Sequence, residues 1–223
     1  MMKEPNRLDR AEIEFFKEIQ SLIVKTRTVK RASLKIRKIC GVDAAYSPDG
    51  NSVAAAATQI VDGQISETST YSGTFSFPYV SGLFYLHEGP FVVAAVRRLK
   101  ETSHLVCFDA HGAAHPNSGG LATVCGRVLG IPSIGVAKTP LVGKEIFYRN
   151  GLNKIEFENR FVGYVTSKPK RYWSPGYSVS LAELETIICS KTGEDCAKAL
   201  QYSHTSARRA TRQNSSGQYQ QFA

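Results

Sequence analysis

The sequence predicts an α/β layer fold: one mixed sheet, with three antiparallel strands followed by parallel ones, flanked by helices. Three runs with strand character, 39–46, 52–61 and 65–75, follow one another across short turn signals. Helical and strand patterns then alternate, the order that sets parallel strands beneath covering helices. At 223 residues and 42% hydrophobic content, the chain can build one substantial core.

The elements follow in order. Asp9 caps a first helix, Glu12 completes a capping box, and Leu8 and Ile13 are spaced for a hydrophobic staple. Phe15, Ile19, Leu22 and Ile23 recur at helical spacing along it. A basic stretch follows with Lys25, Arg27, Lys30, Arg31, Lys35, Arg37 and Lys38; it reads equally as a solvated face or a phosphate-contacting surface. Pro48-Asp49-Gly50-Asn51 and Asp62-Gly63 separate the first three strands, and the second pair suits a tight hairpin. A helix is expected from about Pro90 to Lys100, with proline at the favoured first position. Strand 104–109, helix 119–129 and strand 133–137 come next. Aromatic-rich residues 145–166 alternate as a further hairpin, and 181–191 forms a last amphipathic helix. Residues 1–212 read as a single domain, and 213–223 as a Ser/Gln-rich tail expected to be disordered.

Charge narrows the partners. The net charge is +9, which favours a polyanion, either nucleic acid or an anionic membrane surface. No apolar run is long enough to span a bilayer, and the N-terminal residues lack a signal-peptide pattern, so the membrane reading is weak. The 5 cysteines include no C-x-x-C pair, which fits reduced thiols in the cytoplasm better than disulfides or zinc.

Three carboxylates stand in unusual places. Asp109 ends the apolar run Leu105-Val106-Cys107-Phe108 and opens a small-residue loop. Asp43 lies inside the apolar run Cys40 to Tyr46, as a metal ligand or as an acid paired with a nearby lysine. Glu88 precedes Gly89-Pro90, as a ligand or as a first-turn acid favoured by the helix dipole. Hard oxygen ligands without cysteine suggest Mg²⁺, with Mn²⁺ as a substitute. On so basic a chain, three such acids point to metal-dependent cutting of a nucleic acid backbone.

Lys138, at the exit of Ile134-Gly135-Val136-Ala137, suits either a scissile phosphate or an ion pair with one of the acids. His111 and His115 are four apart, a zinc-like spacing. Gly112 and Pro116 argue against a helix presenting both rings, so a hydrogen-bonding role is preferred. Pro78-Tyr79-Val80 lies in a loop that either lids the core or wedges beside a base.

In sequence order, Gly41-Val42-Asp43-Ala44-Ala45-Tyr46, Pro78-Tyr79-Val80-Ser81, His87-Glu88-Gly89-Pro90, Asp109-Ala110-His111-Gly112-Ala113-Ala114-His115-Pro116 and Gly135-Val136-Ala137-Lys138-Thr139-Pro140-Leu141 resemble the endonuclease V family of inosine-directed nucleases. The match covers roughly residues 10 to 180. The resemblance implies a ribonuclease H-like fold and hydrolysis of the second phosphodiester bond 3′ to deoxyinosine, leaving 3′-hydroxyl and 5′-phosphate ends. It implies Asp43 and Asp109 as the central metal ligands with Glu88 completing the set, and Lys138 as the active-site lysine. Tyr79 is the implied wedge, with Pro78, Val80, His111 and His115 as accompanying DNA contacts. Inosine-containing RNA is an alternative substrate, a non-cleaving inosine binder an alternative role, and a monomer the expected state. The chain departs from the family at Asn117, where arginine is usual, and at Tyr177, where histidine is common. Near the C-terminus, Arg208-Arg209-Ala210-Thr211 offers only a hydroxyl where the family pattern ends in Asp or His.

Overall fold

The computed structural model describes residues 8–26, 35–75 and 77–215. In chain order these form α1 (Arg10–Lys25), β1 (Lys38–Tyr46), β2 (Ser52–Val61), β3 (Gln64–Thr74), α2 (Phe84–Arg97), β4 (Leu105–Phe108) and α3 (Leu121–Leu129). There follow β5 (Ser133–Ala137), β6 (Lys144–Arg149), β7 (Leu152–Phe157), β8 (Arg160–Ser167), β9 (Lys170–Pro175), α4 (Leu181–Ile188) and α5 (Lys191–Ser215). The strands make one sheet in the order β3-β2-β1-β4-β5-β9-β8-β7-β6. β1, β2 and β3 meander antiparallel; β1 pairs in parallel with β4, and β4 with β5. This is the predicted mixed sheet. The Asp62-Gly63 turn has φ of 48° and 82°, the left-handed pair that a tight hairpin requires.

The sheet is covered on both faces. Cys40, Val42, Val106 and Phe108 pack with α2 and α3. Ile39, Leu105, Cys107 and Ile134 pack with α4 and α5. Side chains alternate along a strand, so Gly41 and Asp43 share the face of Ile39, the one that α5 covers. A Cβ at Gly41 would lie 2.4 Å from the backbone carbon of Ala199 and 2.5 Å from the nitrogen of Leu200. Glycine is therefore what lets the α5 backbone rest directly on β1. Buried Ser203 fastens the contact: its hydroxyl donates to Gly41 O at 2.8 Å and accepts from the Thr58 N–H at 3.0 Å.

Several elements differ from expectation. The capping box at Asp9 and Glu12 forms, but Phe15 and Leu22 are exposed. The inward face of α1 instead carries Ile13, Phe16, Ile23 and fully buried Gln20. α2 starts at Phe84 rather than Pro90, so Glu88 lies within the helix and Pro90 is interior to it. Pro90 is exposed, which leaves solvent to serve the carbonyl that proline deprives of a donor. Residues 145–166 form three strands rather than one hairpin, and β9 adds a fourth. α5 was not anticipated beyond residue 191. Its buried residues include Asp195, Cys196, Ala199, Ser203, Ala207 and Thr211, too small and polar to read as an apolar stripe. Residues 213–215, expected to be disordered, continue this helix. The rest of the expected tail and the middle of the basic stretch, 27–34, lie outside the described residues. Among the described residues no helix is long and apolar enough to cross a membrane.

Gly41→Ala is expected to cost about 1–3 kcal/mol of stability by overpacking against α5. The measurement is thermal denaturation beside wild type; an unchanged Tm would show that the helix can yield freely.

Candidate active site

Parallel pairing sets two acids side by side. Val42 lies opposite Phe108, and the Asp109 N–H donates to Val42 O at 3.1 Å. The residues that follow, Asp43 and Asp109, thus stand together where β1 and β4 leave the sheet centre. α5 brings His204 to the same point, with its Nδ1 2.6 Å from Asp43 Oδ2. One ligand atom each from Asp43, Asp109 and His204 lies within 4.8 Å of the others. The other Asp43 oxygen accepts the Ala44 N–H at 2.8 Å.

Glu88 approaches from the opposite face, on α2. It is buried, and the Tyr46 hydroxyl donates to its Oε1. Burial, then the negative charges of Asp43 and Asp109, push its pKa up to about 7 against the lowering effect of the Tyr46 bond. Burial and Asp109 likewise raise Asp43, while His204 and Lys138 oppose the rise. Glu88 stands outside the tight three-residue group but within its electrostatic reach.

This donor set fits a divalent cation. Buried carboxylates of like sign are costly together unless a cation neutralises them. Oxygen donors with one imidazole suit Mg²⁺ or Mn²⁺. Lys138 is half-exposed and ion-paired with Asp109. Of the alternatives its sequence left open, the ion pair forms, and it forms beside the cluster.

A cavity of about 820 Å³ opens on the other side of Asp109 and Lys138. Tyr79, Gly82, His111, His115 and Gly120 help to line it. Tyr79 is 65% exposed at the rim, edge-on to Phe84 and His87. Pro78 and Val80 flank it half-buried, Val80 packing on the core, so the loop anchors on one side and projects its aromatic ring. Gln20 joins the two loops around the cavity. Its amide donates to Gly82 O at 3.0 Å and to Gly119 O at 2.6 Å, and it accepts from Asn117. Asn117 also accepts from His115 Nδ1 at 2.7 Å. Burial pushes His111 down to about 4 and also lowers His115, so both rings are neutral near pH 7. Neither joins the Asp43, Asp109 and His204 group among the described residues.

The sequence profile of endonuclease V matches residues 17–195. The chain belongs to the endonuclease V family. Endonuclease V of Sulfolobus acidocaldarius is 35% identical over 173 residues, covering 77% of this chain and 84% of that one. Endonuclease V of Saccharolobus islandicus is 33% identical over 172 residues, with the same coverage. The crystal structure of Streptomyces avermitilis endonuclease V superposes with a TM-score of 0.81 at 24% identity, covering 96% of this chain and 98% of that one. Ciona intestinalis endonuclease V, in complex with DNA containing an inosine followed by a ribo-adenosine, gives 0.77 at 18% identity, covering 92% and 99%.

Within an endonuclease V chain, the missing C-terminal group has a candidate that the sequence alignment overlooked. Thr211 donates to Arg208 O along its own helix. His204, seven residues and about two helical turns earlier, is the α5 side chain that meets Asp43. Its signal was available only as a histidine at helical spacing from small residues.

The raised Glu88 has a consequence for stability. In the metal-free protein it titrates near 7 when folded and near its ordinary 4.5 when unfolded. Between those values the folded state holds the extra proton, so this group's contribution to stability falls as pH rises. Glu88→Gln removes that fall. Metal-free melting at about pH 5 and about pH 8 should show the variant gaining on wild type at the higher pH; parallel curves would refute the burial effect.

Proposed function

We propose that the protein is a DNA repair endonuclease that recognises deoxyinosine and hydrolyses the second phosphodiester bond 3′ to it, leaving 3′-hydroxyl and 5′-phosphate ends. The observation that carries this reading is the meeting of Asp43, Asp109 and His204 beside a cavity rimmed by Tyr79. The solved Ciona complexes with inosine-containing DNA support the substrate class. Five free cysteines fit a cytoplasmic setting, and a monomer is the working state.

Asp43, Asp109 and His204 would hold the cation, Mg²⁺ with Mn²⁺ as substitute, and Glu88 supplies a third carboxylate behind them. The cation's chemistry is to offset phosphate charge and to acidify water for in-line attack. Tyr46 keeps Glu88 oriented through its hydroxyl. Lys138, released from Asp109, can turn its ammonium to the phosphate at the cut. Tyr79 fills the gap left in the strand when the inosine base turns out of the stack. The base enters the 820 Å³ cavity, whose glycine-rich wall and neutral histidines suit an uncharged ring. His111 and His115 shape that wall, and Pro78 and Val80 brace the wedge.

A second reading keeps the chemistry and moves it to inosine-containing RNA. The ribo-adenosine after inosine in the Ciona complexes favours it. A non-cleaving binder is disfavoured by His204, which lies against Asp43 and can serve as the C-terminal group.

Purified protein, incubated with Mg²⁺ and matched deoxyinosine and inosine strands, is resolved on a denaturing gel. Asp43→Ala and His204→Ala are each expected to lower cleavage by at least about 10²-fold, the scale of losing one charge-stabilising group. Asp43→Ala should retain lesion binding, and Thr211→Ala should keep cutting. Full activity of Asp43→Ala would contradict the proposal.

Tyr79→Ala should weaken cleavage of duplex deoxyinosine more than of single strands, since only the duplex needs to be held open. Equal losses on both would deny Tyr79 a wedge role.

A further inference from the structure

A second large cavity, about 790 Å³, opens on the far side of the Asp109–Lys138 pair. It runs between the β8–β9 turn and α5, and His204 closes its inner end. Lys168, Arg171 and Lys198 line it, and none has a carboxylate partner among the described residues. Arg171 donates to the Lys170 carbonyl, and Lys198 to Gly63 O at 3.0 Å.

The cations just outside are neutralised. Lys170 pairs with Glu145 at 2.7 Å, Lys144 with Glu156 at 3.1 Å, and Lys191 with Asp195 at 3.0 Å. The acid on the groove wall, Glu194, is held by Lys191 at 3.1 Å. Three cations without a carboxylate partner thus line one groove that leads to the carboxylate cluster.

We infer that this groove is the binding site for the strand 3′ of the scissile bond, gripped at its phosphates by Lys168, Arg171 and Lys198. The inference rests on the function proposed above. The reasoning is directional: the base cavity and this groove lie on opposite sides of Asp109 and Lys138. A strand whose inosine occupies the first, and whose cut lies 3′ of that inosine, must leave through the second. Recognition there is of phosphates. The groove's aromatic, Trp173, is buried and its Nε1–H donates to Thr166 Oγ1 at 3.2 Å, so it offers bases no stacking surface. Binding is accordingly indifferent to downstream sequence.

The test compares wild type with Lys168→Glu/Arg171→Glu and a charge-matched control, Arg10→Glu/Arg160→Glu, whose positions line neither cavity. One arm measures kcat/KM on inosine strands carrying from one to about ten nucleotides beyond the cut, a length within single-strand site sizes. The ratio of wild type to the groove variant should grow with that length, while the control tracks wild type. A second arm measures anisotropy of a 3′-labelled strand bearing a 5′-phosphate or a 5′-hydroxyl. The groove variant should bind the phosphorylated strand about 10-fold more weakly, with a salt slope lower by about 1.4, two contacts at about 0.7 each. A protein that fails to cut inosine strands yet binds the phosphorylated strand through these residues sinks the proposed substrate and leaves the groove standing. A protein that cuts, with a length-independent ratio and unchanged anisotropy, overturns the groove.

Discussion

The contact on which the site depends is backbone against backbone. At Gly41 the α5 helix lies on β1 with no side chain between them, and Ser203 stitches the two through Gly41 O and Thr58 N–H. One residue beyond Ser203 along the helix, and two beyond Gly41 along the strand, His204 and Asp43 meet. Any added atom at Gly41 separates the elements that carry those groups. The parallel pairing of Val42 with Phe108 supplies the third member by the same logic, as a register rather than a side-chain contact.

Crowding negative charge at that point has an electrostatic cost, and the surroundings show how the fold limits it. Tyr46 donates to Glu88, Lys138 lies on Asp109, and His204 lies on Asp43. Burial and mutual repulsion still leave Asp43 and Glu88 raised. The cluster thus keeps a surplus of negative charge, the condition that a divalent cation would relieve. The two cavities meet at Asp109 and Lys138, one on each side of the cluster.

The mixed sheet, its three antiparallel opening strands and the places of Asp43 and Asp109 are legible in sequence, the two acids because each interrupts an apolar run where a charge is conspicuous. The start of α2 is not. Pro90 is a common first-turn residue, and only packing of Tyr85 and Glu88 shows that the helix begins earlier. α1 misled in a different way: Phe15 and Leu22 have the right spacing but face outward, while buried Gln20 is satisfied by three hydrogen bonds of its side-chain amide with loop carbonyls and Asn117. α5 was the largest omission, since a helix that buries Ala199, Ser203 and Ala207 leaves no hydrophobic period to find. His204 goes with it, because the family's C-terminal spacing points to Thr211 instead.

The order of these elements along the chain also matters during synthesis. Asp43 and Asp109 lie in strands that emerge early from the ribosome, whereas His204 comes on the last described helix. In an unfinished chain the imidazole that faces both aspartates is still to be made. By the assignment proposed above, the last of the three groups arrives only when α5 is complete.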